Sequence, residues 1–265
     1  MDKIRIGIFG GSGFYSLFEK PENKATATPH GPLSAAVTVG KIHGKSVAFM
    51  PRHEVEHTIP PHKVPYKANV AAFKEIGVER IMGPCAAGSL QPHVKPGDFV
   101  ICDQLVDRTW GREDTFYHGP EVAHVSFAEP YCPEMRKIAI EACQKLGISY
   151  HPKGTVVVIN GPRFSTKAES RWYSSAGWEV INMTQYPEAV LAREKEMCYL
   201  NISLITDYDV GLEGVPGVKP VTAAEVGRIF KENNERVKKV IAEVIKNIPE
   251  ERGCKCGEAM KNAKL

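Results

Sequence analysis

Two carboxylates, Asp207 and Asp209, stand at i and i+2 directly behind the apolar run MCYLNISLI. A run of that kind reads as a deeply buried strand, and acids at its end are costly unless paired, hydrogen-bonded or put to use. Burial and a like-charged neighbour both raise a carboxyl pKa, which makes one of the pair a candidate general acid. The competing reading is two solvated loop acids capping the next helix. Opposite in charge, Arg52-His53 closes the run KSVAFMPR and opens EVEHTIPPHK. A guanidinium offers a rigid fork of donors, and with an imidazole beside it forms a clamp for an oxyanion such as phosphate. His53, His57 and His62 also offer imidazoles to zinc, against which stand the missing H-E-x-x-H or carboxylate pattern and the stiff Pro60-Pro61 pair. A solvated polar loop is the third reading of that segment.

Gly10-Gly11-Ser12-Gly13 follows the first apolar run and can point backbone N–H groups and the Ser12 hydroxyl at an anion. The dinucleotide pattern fails because Ser16 stands where its last glycine belongs. No Gly-Lys-Ser/Thr follows for a nucleoside-triphosphate loop, and Phe14 breaks the nucleophile elbow. Phosphate is therefore favoured over NAD, ATP or acyl chemistry, with a plain tight turn as the alternative. The small residues Cys85-Ala86-Ala87-Gly88-Ser89 let a ligand approach the backbone closely, and Cys85 without a paired base reads as a buried thiol rather than a nucleophile. Asn160-Gly161-Pro162-Arg163-Phe164-Ser165 and Asn182-Met183-Thr184 each follow an apolar run. Phe164 against a planar base and Met183 against a sugar face suit a nucleoside, although either residue alone also suits an ordinary core.

The elements that must position these residues alternate. KIRIGIF reads as a buried strand, AAVTVGKI and KSVAFMPR as a hairpin turning at His43-Gly44, and 64–76 as a helix ended by Gly77. Strands are expected over 78–83, 98–103, 154–159, 178–181 and 198–206, with Pro84 to Ser89 as a loop and 108–118 as another. Helices are expected over 131–146, 166–174, 187–196 and 221–248, the third with Pro187 in its first turn. This alternation predicts an α/β fold, a single domain over 1–248 with a mixed central sheet flanked by helices. Residues 249–265 form a charged tail carrying Cys254-Lys255-Cys256. Ligands in such folds gather where strands end, which is where the polar residues lie.

Composition sets the outer bounds. The 265 residues, 43% hydrophobic and 25% charged, exclude a disordered, fibrous or small disulfide-scaffold protein. Lys+Arg 34 against Asp+Glu 31 excludes a nucleic-acid binder that works by bulk electrostatics. No run approaches the roughly 20 apolar residues of a membrane helix. The start MDKIRIGIFGG reaches glycine too soon for a signal peptide, so a soluble, cytoplasmic protein is expected. The cysteines, 7 in number, are scattered with no C-x-x-C pair. They read as buried free thiols, or, in a hyperthermophile, as a source of pairs such as Cys254 with Cys256.

Taken in order, eight segments resemble the methylthioadenosine phosphorylases of the trimeric purine nucleoside phosphorylase family. They are Gly10-Gly11-Ser12-Gly13, Pro51-Arg52-His53, His57-Thr58-Ile59-Pro60, Ala87-Gly88-Ser89-Leu90, Gly161-Pro162-Arg163-Phe164-Ser165, Ala168-Glu169-Ser170, Asn182-Met183-Thr184 and Thr206-Asp207-Tyr208-Asp209. The resemblance covers about residues 3–245, and similar Cys-x-Cys tails occur in thermophilic members. It implies a nucleoside phosphorylase-like fold and reversible phosphorolysis of 5′-deoxy-5′-methylthioadenosine to adenine and 5-methylthioribose 1-phosphate. Inorganic phosphate is then a substrate, and no metal or organic cofactor is needed. The resemblance also implies that Ser12, Arg52, His53, the Cys85-Ala86 backbone and Thr184 hold phosphate. Met183 lies on the ribose and Phe164 on the base, while Asp207, Tyr208 and Asp209 address the purine, the two acids at N7 and the 6-amino group. Ser165 tunes base selection, and His124 reaches a neighbouring subunit's pocket, so a homotrimer or homohexamer is expected.

Two departures bear on specificity. Cys85 stands where many relatives carry Thr, and Ala223, Val226 and Gly227 are small on the helix expected to line the 5′-substituent. The alternative is therefore a broader purine nucleoside phosphorylase acting on adenosine, inosine or guanosine, although relatives that take 6-oxopurines carry Asn at the first acid position. A nucleoside hydrolase or a nucleotide-binding sensor module are the readings outside that class.

Overall fold

In the computed structural model the backbone turns at His43 (φ 49) and Gly44 (φ 77), joining β3 (Val37–Ile42) to β4 (Lys45–Pro51). Positive φ at both central residues matches the twist of antiparallel strands, so the hairpin read from the sequence forms as expected. The structure describes residues 3–12, 14–24, 26–212, 214, 216, 218 and 222–264. Gly13 and Val221 lie outside them, and the surroundings of Gly227 are likewise not described.

β1 (Ile6–Gly10) lies parallel between β4 and β5 (Arg80–Ser89) and is buried along its length. A strand covered on both faces needs apolar residues at every position, which is why KIRIGIF loses its alternation. The remaining strands are β2 (Glu22–Lys24), β6 (Phe99–Val100), β7 (Gln104–Arg108), β8 (Tyr150–His151), β9 (Thr155–Ile159), β10 (Val180–Asn182) and β11 (Cys198–Tyr208). The helices are α1 (Tyr66–Glu75), α2 (Pro133–Lys145), α3 (Lys167–Ser175), α4 (Gln185–Glu194) and α5 (Ala223–Asn247). Together the strands form one mixed eleven-stranded sheet with helices on both faces, the expected fold class.

Alternation along β1 and β11 divides the core. Ile8, Leu200 and Ile202 pack with α2 and α5 residues such as Ala139, Val240, Ile241 and Val244. Phe9 and Tyr199 face the other way, toward Phe73 of α1 and Leu191 of α4. Phe9 stacks on Phe73 with ring centroids 4.3 Å apart.

Two strands outrun their sequence limits. β5 continues through Pro84-Cys85-Ala86-Ala87-Gly88, expected as a loop, because β11 pairs with it from Arg80 to Ser89. Pro84, which donates no backbone hydrogen bond, stands beyond Met82, the last residue paired with β1. That edge of β5 is taken up again only at Gly88 and Ser89, by antiparallel β10. The sheet therefore forks, and, among the described residues, 83–87 have no strand partner on the open side. β11 likewise runs past Thr206 to Tyr208, with a register shift between Ile205 and Asp207 that skips Thr206. An irregularity of this kind bends a strand and re-aims its side chains.

Beyond α5 the chain packs back on the domain. Lys45 Nζ donates to the carbonyls of Ile245 and Ile248, satisfying the helix C-terminus. The Gly253 amide donates to Glu134, the His124 amide to the Ala263 carbonyl, and Cys256 is buried in the core beneath α2 and α5. Among the described residues no helix is long and apolar enough to cross a membrane.

Candidate active site

A cavity of about 1050 Å³ opens at the fork of the sheet, lined from the ends of β1, β4, β5, β9, β10 and β11 and by one side of α5. Ser12, Arg52, His53, Cys85, Ala86, Phe164, Ser165, Met183, Thr184, Asp207, Asp209 and Ala223 all line it, so most of the residues singled out in the sequence meet here. Gly11 approaches β5 so closely that a Cβ on it would meet the Pro84 carbonyl oxygen at 2.9 Å.

At one end Arg52 is almost fully enclosed. Its Nε and Nη2 donate to the two oxygens of Glu188 on α4 at 2.6 and 2.8 Å, and the Tyr199 hydroxyl donates to Glu188 at 2.7 Å. Burial works against the guanidinium charge, but the Glu188 carboxylate outweighs it and raises the Arg52 pKa. Arg52 Nη1 is buried with no protein partner among the described residues, a charged donor left over at the cavity wall. His53 corrects one expectation. Its Nδ1 donates to the Ile59 carbonyl at 2.8 Å, and burial, with Arg52 beside it, pushes its pKa down to about 3. The ring is thus neutral and shows an acceptor Nε2, where the sequence reading made it a second arm of an anion clamp.

The zinc reading of the three histidines gains no geometric support. His57 Nδ1 is 3.0 Å from the Tyr15 hydroxyl and His53 Nδ1 is taken by Ile59. Among the described residues, the group of potential ligands that converges lies elsewhere, among cysteines. Cys85 is buried in a polar net, its sulfur accepting from Asn182 Nδ2 at 3.2 Å and Asn201 Nδ2 at 3.3 Å. What it shows the cavity is chiefly the open edge of β5.

Asp207 and Asp209 occupy the other end. The skipped Thr206 donates its hydroxyl to Asp207 Oδ2 at 2.7 Å. Even so, burial, aided by the charge of Asp209, pushes the Asp207 pKa up to about 7. Burial raises Asp209 as well, tempered by the Ser170 and Ser165 hydroxyls, while the Asp209 amide donates to the Ser89 carbonyl at 2.9 Å. Tyr208, between them, is not at the cavity. Successive strand residues face opposite ways, and its hydroxyl lies 3.5 Å from the Pro92 carbonyl. Phe164, 37% exposed, sits at the rim. Its loop is fixed by a capping box between Thr166 and Glu169 and by Arg163 on Glu169 at 2.8 Å, an arrangement that holds the Glu169 pKa down at about 2. His124 is exposed and does not line the cavity of its own chain.

The cavity is also lined by Thr58 and Asn182, which the sequence reading placed in its motifs without a role of their own, and by Tyr15, Lys231 and Asn234, which it missed. Asn234 lies two helical turns beyond Val226 and shares its face of α5, a spacing that was there to be read. Arg112, in the unpatterned loop after β7, donates to the carbonyls of Asn160 and Met183 at 2.8 and 2.9 Å and to that of Tyr186. It thereby ties the loops behind β9 and β10 together.

The model of the family described as "Phosphorylase superfamily" matches residues 5–246. Over 99% of both chains, 53% of residues are identical to an S-methyl-5′-thioadenosine phosphorylase from Thermofilum pendens. A 6-oxopurine nucleoside phosphorylase from Pyrococcus furiosus is 47% identical, with 98% of each chain covered. Among solved structures, a methylthioadenosine phosphorylase from Schistosoma mansoni in complex with adenine superposes with a TM-score of 0.91 at 36% identity, covering 98% of this chain and 96% of that one.

Proposed function

The chain belongs to the phosphorylase superfamily, and we propose that it is an S-methyl-5′-thioadenosine phosphorylase, an enzyme that reversibly converts 5′-deoxy-5′-methylthioadenosine and phosphate to adenine and 5-methylthioribose 1-phosphate. The chain is a pentosyltransferase by class. The carrying observation is that one cavity holds a leftover guanidinium donor, Arg52 Nη1, at one end and a carboxyl titrating near neutrality, Asp207, at the other.

In this reading phosphate lies between Arg52, Ser12, Thr184 and the unpaired edge of β5 at Cys85-Ala86. His53 Nε2, a neutral acceptor, accepts a hydrogen bond from the O–H of a monoprotonated phosphate. Adenine leaves poorly as an anion, so protonated Asp207 donates to N7 as the C1′–N9 bond loosens, and Asp209 accepts from the 6-amino group. Phosphate, held below C1′, then collapses onto the cationic sugar. Met183 packs on the ribose, Phe164 on the base, and Ser165 beside Asp209 tunes base choice. The chemistry uses phosphate as a substrate and no cofactor. The chain works as a homotrimer or homohexamer in the cytoplasm, with His124 entering a neighbour's cavity, and takes no nucleic acid.

A second reading, broader action on adenosine and 6-oxopurine nucleosides, draws on the small Ala223 and Val226 lining one wall from α5. Base release from methylthioadenosine, adenosine and inosine, each with and without phosphate, tests both. Phosphate-dependent adenine release fastest from methylthioadenosine supports the first. Release indifferent to phosphate refutes it in favour of a hydrolase, and ligand binding with no release in favour of a sensor.

A further inference from the structure

At the end of the sheet away from the cavity lies a recess of about 300 Å³, bounded by the starts of β1, β4 and β5 and by the chain just beyond α5. β5 runs from Arg80 to Ser89, so at about 3.3 Å per residue Arg80 stands about 26 Å from Gly88 at the cavity wall. Lys3, Arg5, Lys45 and Arg80 all line the recess, against one lining carboxylate, Glu250.

Arg80 is 1% exposed, yet its Nε and Nη2 have no hydrogen-bond partner among the described residues. Its Nη1 is 3.8 Å from Glu79. Nε and Nη2 carry the two parallel N–H groups along one side of the guanidinium, the edge that takes two oxygens of a single carboxylate or phosphate at once. In Arg52, the other fully enclosed arginine, Glu188 fills that same edge. On Arg80 the edge finds no match within the described protein, and a buried charge with unused donors is costly. We infer that the recess is an anion site separate from the cavity, in which a small tetrahedral oxyanion, inorganic phosphate or sulfate, takes the free edge of Arg80.

The neighbouring charges favour a compact anion. Lys45 Nζ gives its protons to the carbonyls of Ile245, Lys246 and Ile248, so it lends the recess positive charge but no further donor. Burial and the charge of Arg80 lower the Lys45 pKa, a repulsion that an anion between the two relieves. Arg5 Nη1 donates to the Glu250 carbonyl and to the Glu251 carboxylate, its Nε is 3.9 Å from Glu79, and Lys3 is exposed at the rim. Glu79 is thus shared between Arg5 and Arg80 Nη1, which leaves Glu250 as the lining carboxylate able to compete for the free edge. A recess at the lower bound of ligand-pocket volumes suits a single ion rather than a nucleotide. Because Lys45 and Arg5 hold the chain beyond α5, an anion here fastens that segment to the sheet. The four cations come from three separated segments, so no run in the sequence marks the site.

Crystals of the full chain grown without phosphate or sulfate and soaked in selenate locate the ion by anomalous scattering, and equilibrium dialysis against inorganic phosphate counts it in solution. The expected result is selenate on Arg80 Nε and Nη2, and one phosphate per chain that the parent binds and Arg80→Met loses. Sulfate should also raise the unfolding temperature of the parent more than that of Arg80→Met, while the KM for phosphate in phosphorolysis stays as in the parent. Should Arg80→Met fail to fold, the double variant Lys3→Gln, Arg5→Gln at the rim is expected to raise the Kd of that phosphate more than tenfold. Equal phosphate counts in the parent and Arg80→Met, an unchanged Kd in the rim variant, or Glu250 seated on the free edge in the presence of selenate overturns the proposal. So does selenate on Arg80 in the crystal with no matching phosphate in solution, which marks an adventitious ion only. Phosphate in the cavity is counted separately through Arg52→Met, so failure here leaves the phosphorylase reading standing.

Discussion

Arg52 and Glu188 are joined in the interior by two parallel N–H···O bonds of 2.6 and 2.8 Å, so the guanidinium is held by its back edge while Nη1 is left for the cavity. Breaking a buried pair from one side leaves an uncompensated charge, at a cost of about 3–5 kcal/mol. Glu188→Gln is therefore expected to raise the KM for phosphate more than tenfold, on the order of the 1.4 kcal/mol per decade that a lost charged contact exceeds, while the KM for nucleoside changes little. Steady-state kinetics with each substrate varied in turn checks this, and equal rises in both constants would count against Glu188 as the residue that aims Arg52.

The acid at the opposite end sets a pH dependence. Asp207 donates only when protonated, and its pKa stands at about 7, so kcat/KM for phosphorolysis should fall as pH rises through that value. Asp207→Asn removes the donated proton and should cost about 10²–10⁴-fold in rate, erasing the alkaline limb. A wild-type rate in this variant would refute the general-acid role.

The same carboxyl affects stability with a definite sign. Its pKa is raised in the folded chain, so the folded state holds a proton that the unfolded state has lost between about pH 4 and pH 7. Stability contributed by this group is intact below about pH 4 and lost by about pH 7. Thermal unfolding should accordingly show Asp207→Asn gaining on the parent as pH rises from 4 to 8, and a constant gap over that range would contradict it.

His53 runs the other way. Burial and Arg52 hold its folded pKa down at about 3, so the unfolded chain takes up a proton near pH 6.5 that the folded chain refuses. Its contribution is intact above about pH 6.5 and lost as pH falls toward 3. Imidazole resonances followed from pH 8 to pH 4 should show His53 unmoved, and an inflection near 6.5 would mean that the ring is charged in the folded protein.

Arg112 holds carbonyls of two loops at once, so Arg112→Ala should raise the KM for nucleoside severalfold with a smaller effect on phosphate. Arg112→Lys should fail to restore it, because a single ammonium cannot span positions that a planar fork reaches together. Full rescue by Lys would reduce the role to charge alone.

Local signals were legible wherever local chemistry decides the backbone. His43-Gly44 gave away the hairpin and Gly77 (φ 94) the end of α1. Non-local pairing was not legible. Pro84 to Gly88 look like a loop until β11 holds them, and Thr206 to Tyr208 look like a strand end until β5 does. That extension also explains Tyr208: read as loop it could face the purine, but as a strand residue between two cavity-facing acids it must point away. Arg112 lay in a segment without periodicity, and its partners are more than forty residues away in sequence.

The fork in the sheet divides what the protein must keep from what it is free to vary. The open edge of β5 belongs to the strand most extensively paired in the molecule, whereas Ala223, Val226, Phe164 and Ser165 reach the cavity from a helix and a loop that no strand register constrains. A substitution among these four can reshape the space for the 5′-group or the base without shifting an amide on that edge. The anion end is thereby a floor held by backbone pairing beneath a roof of side chains, and single changes in the roof alter the space for the nucleoside without moving that floor.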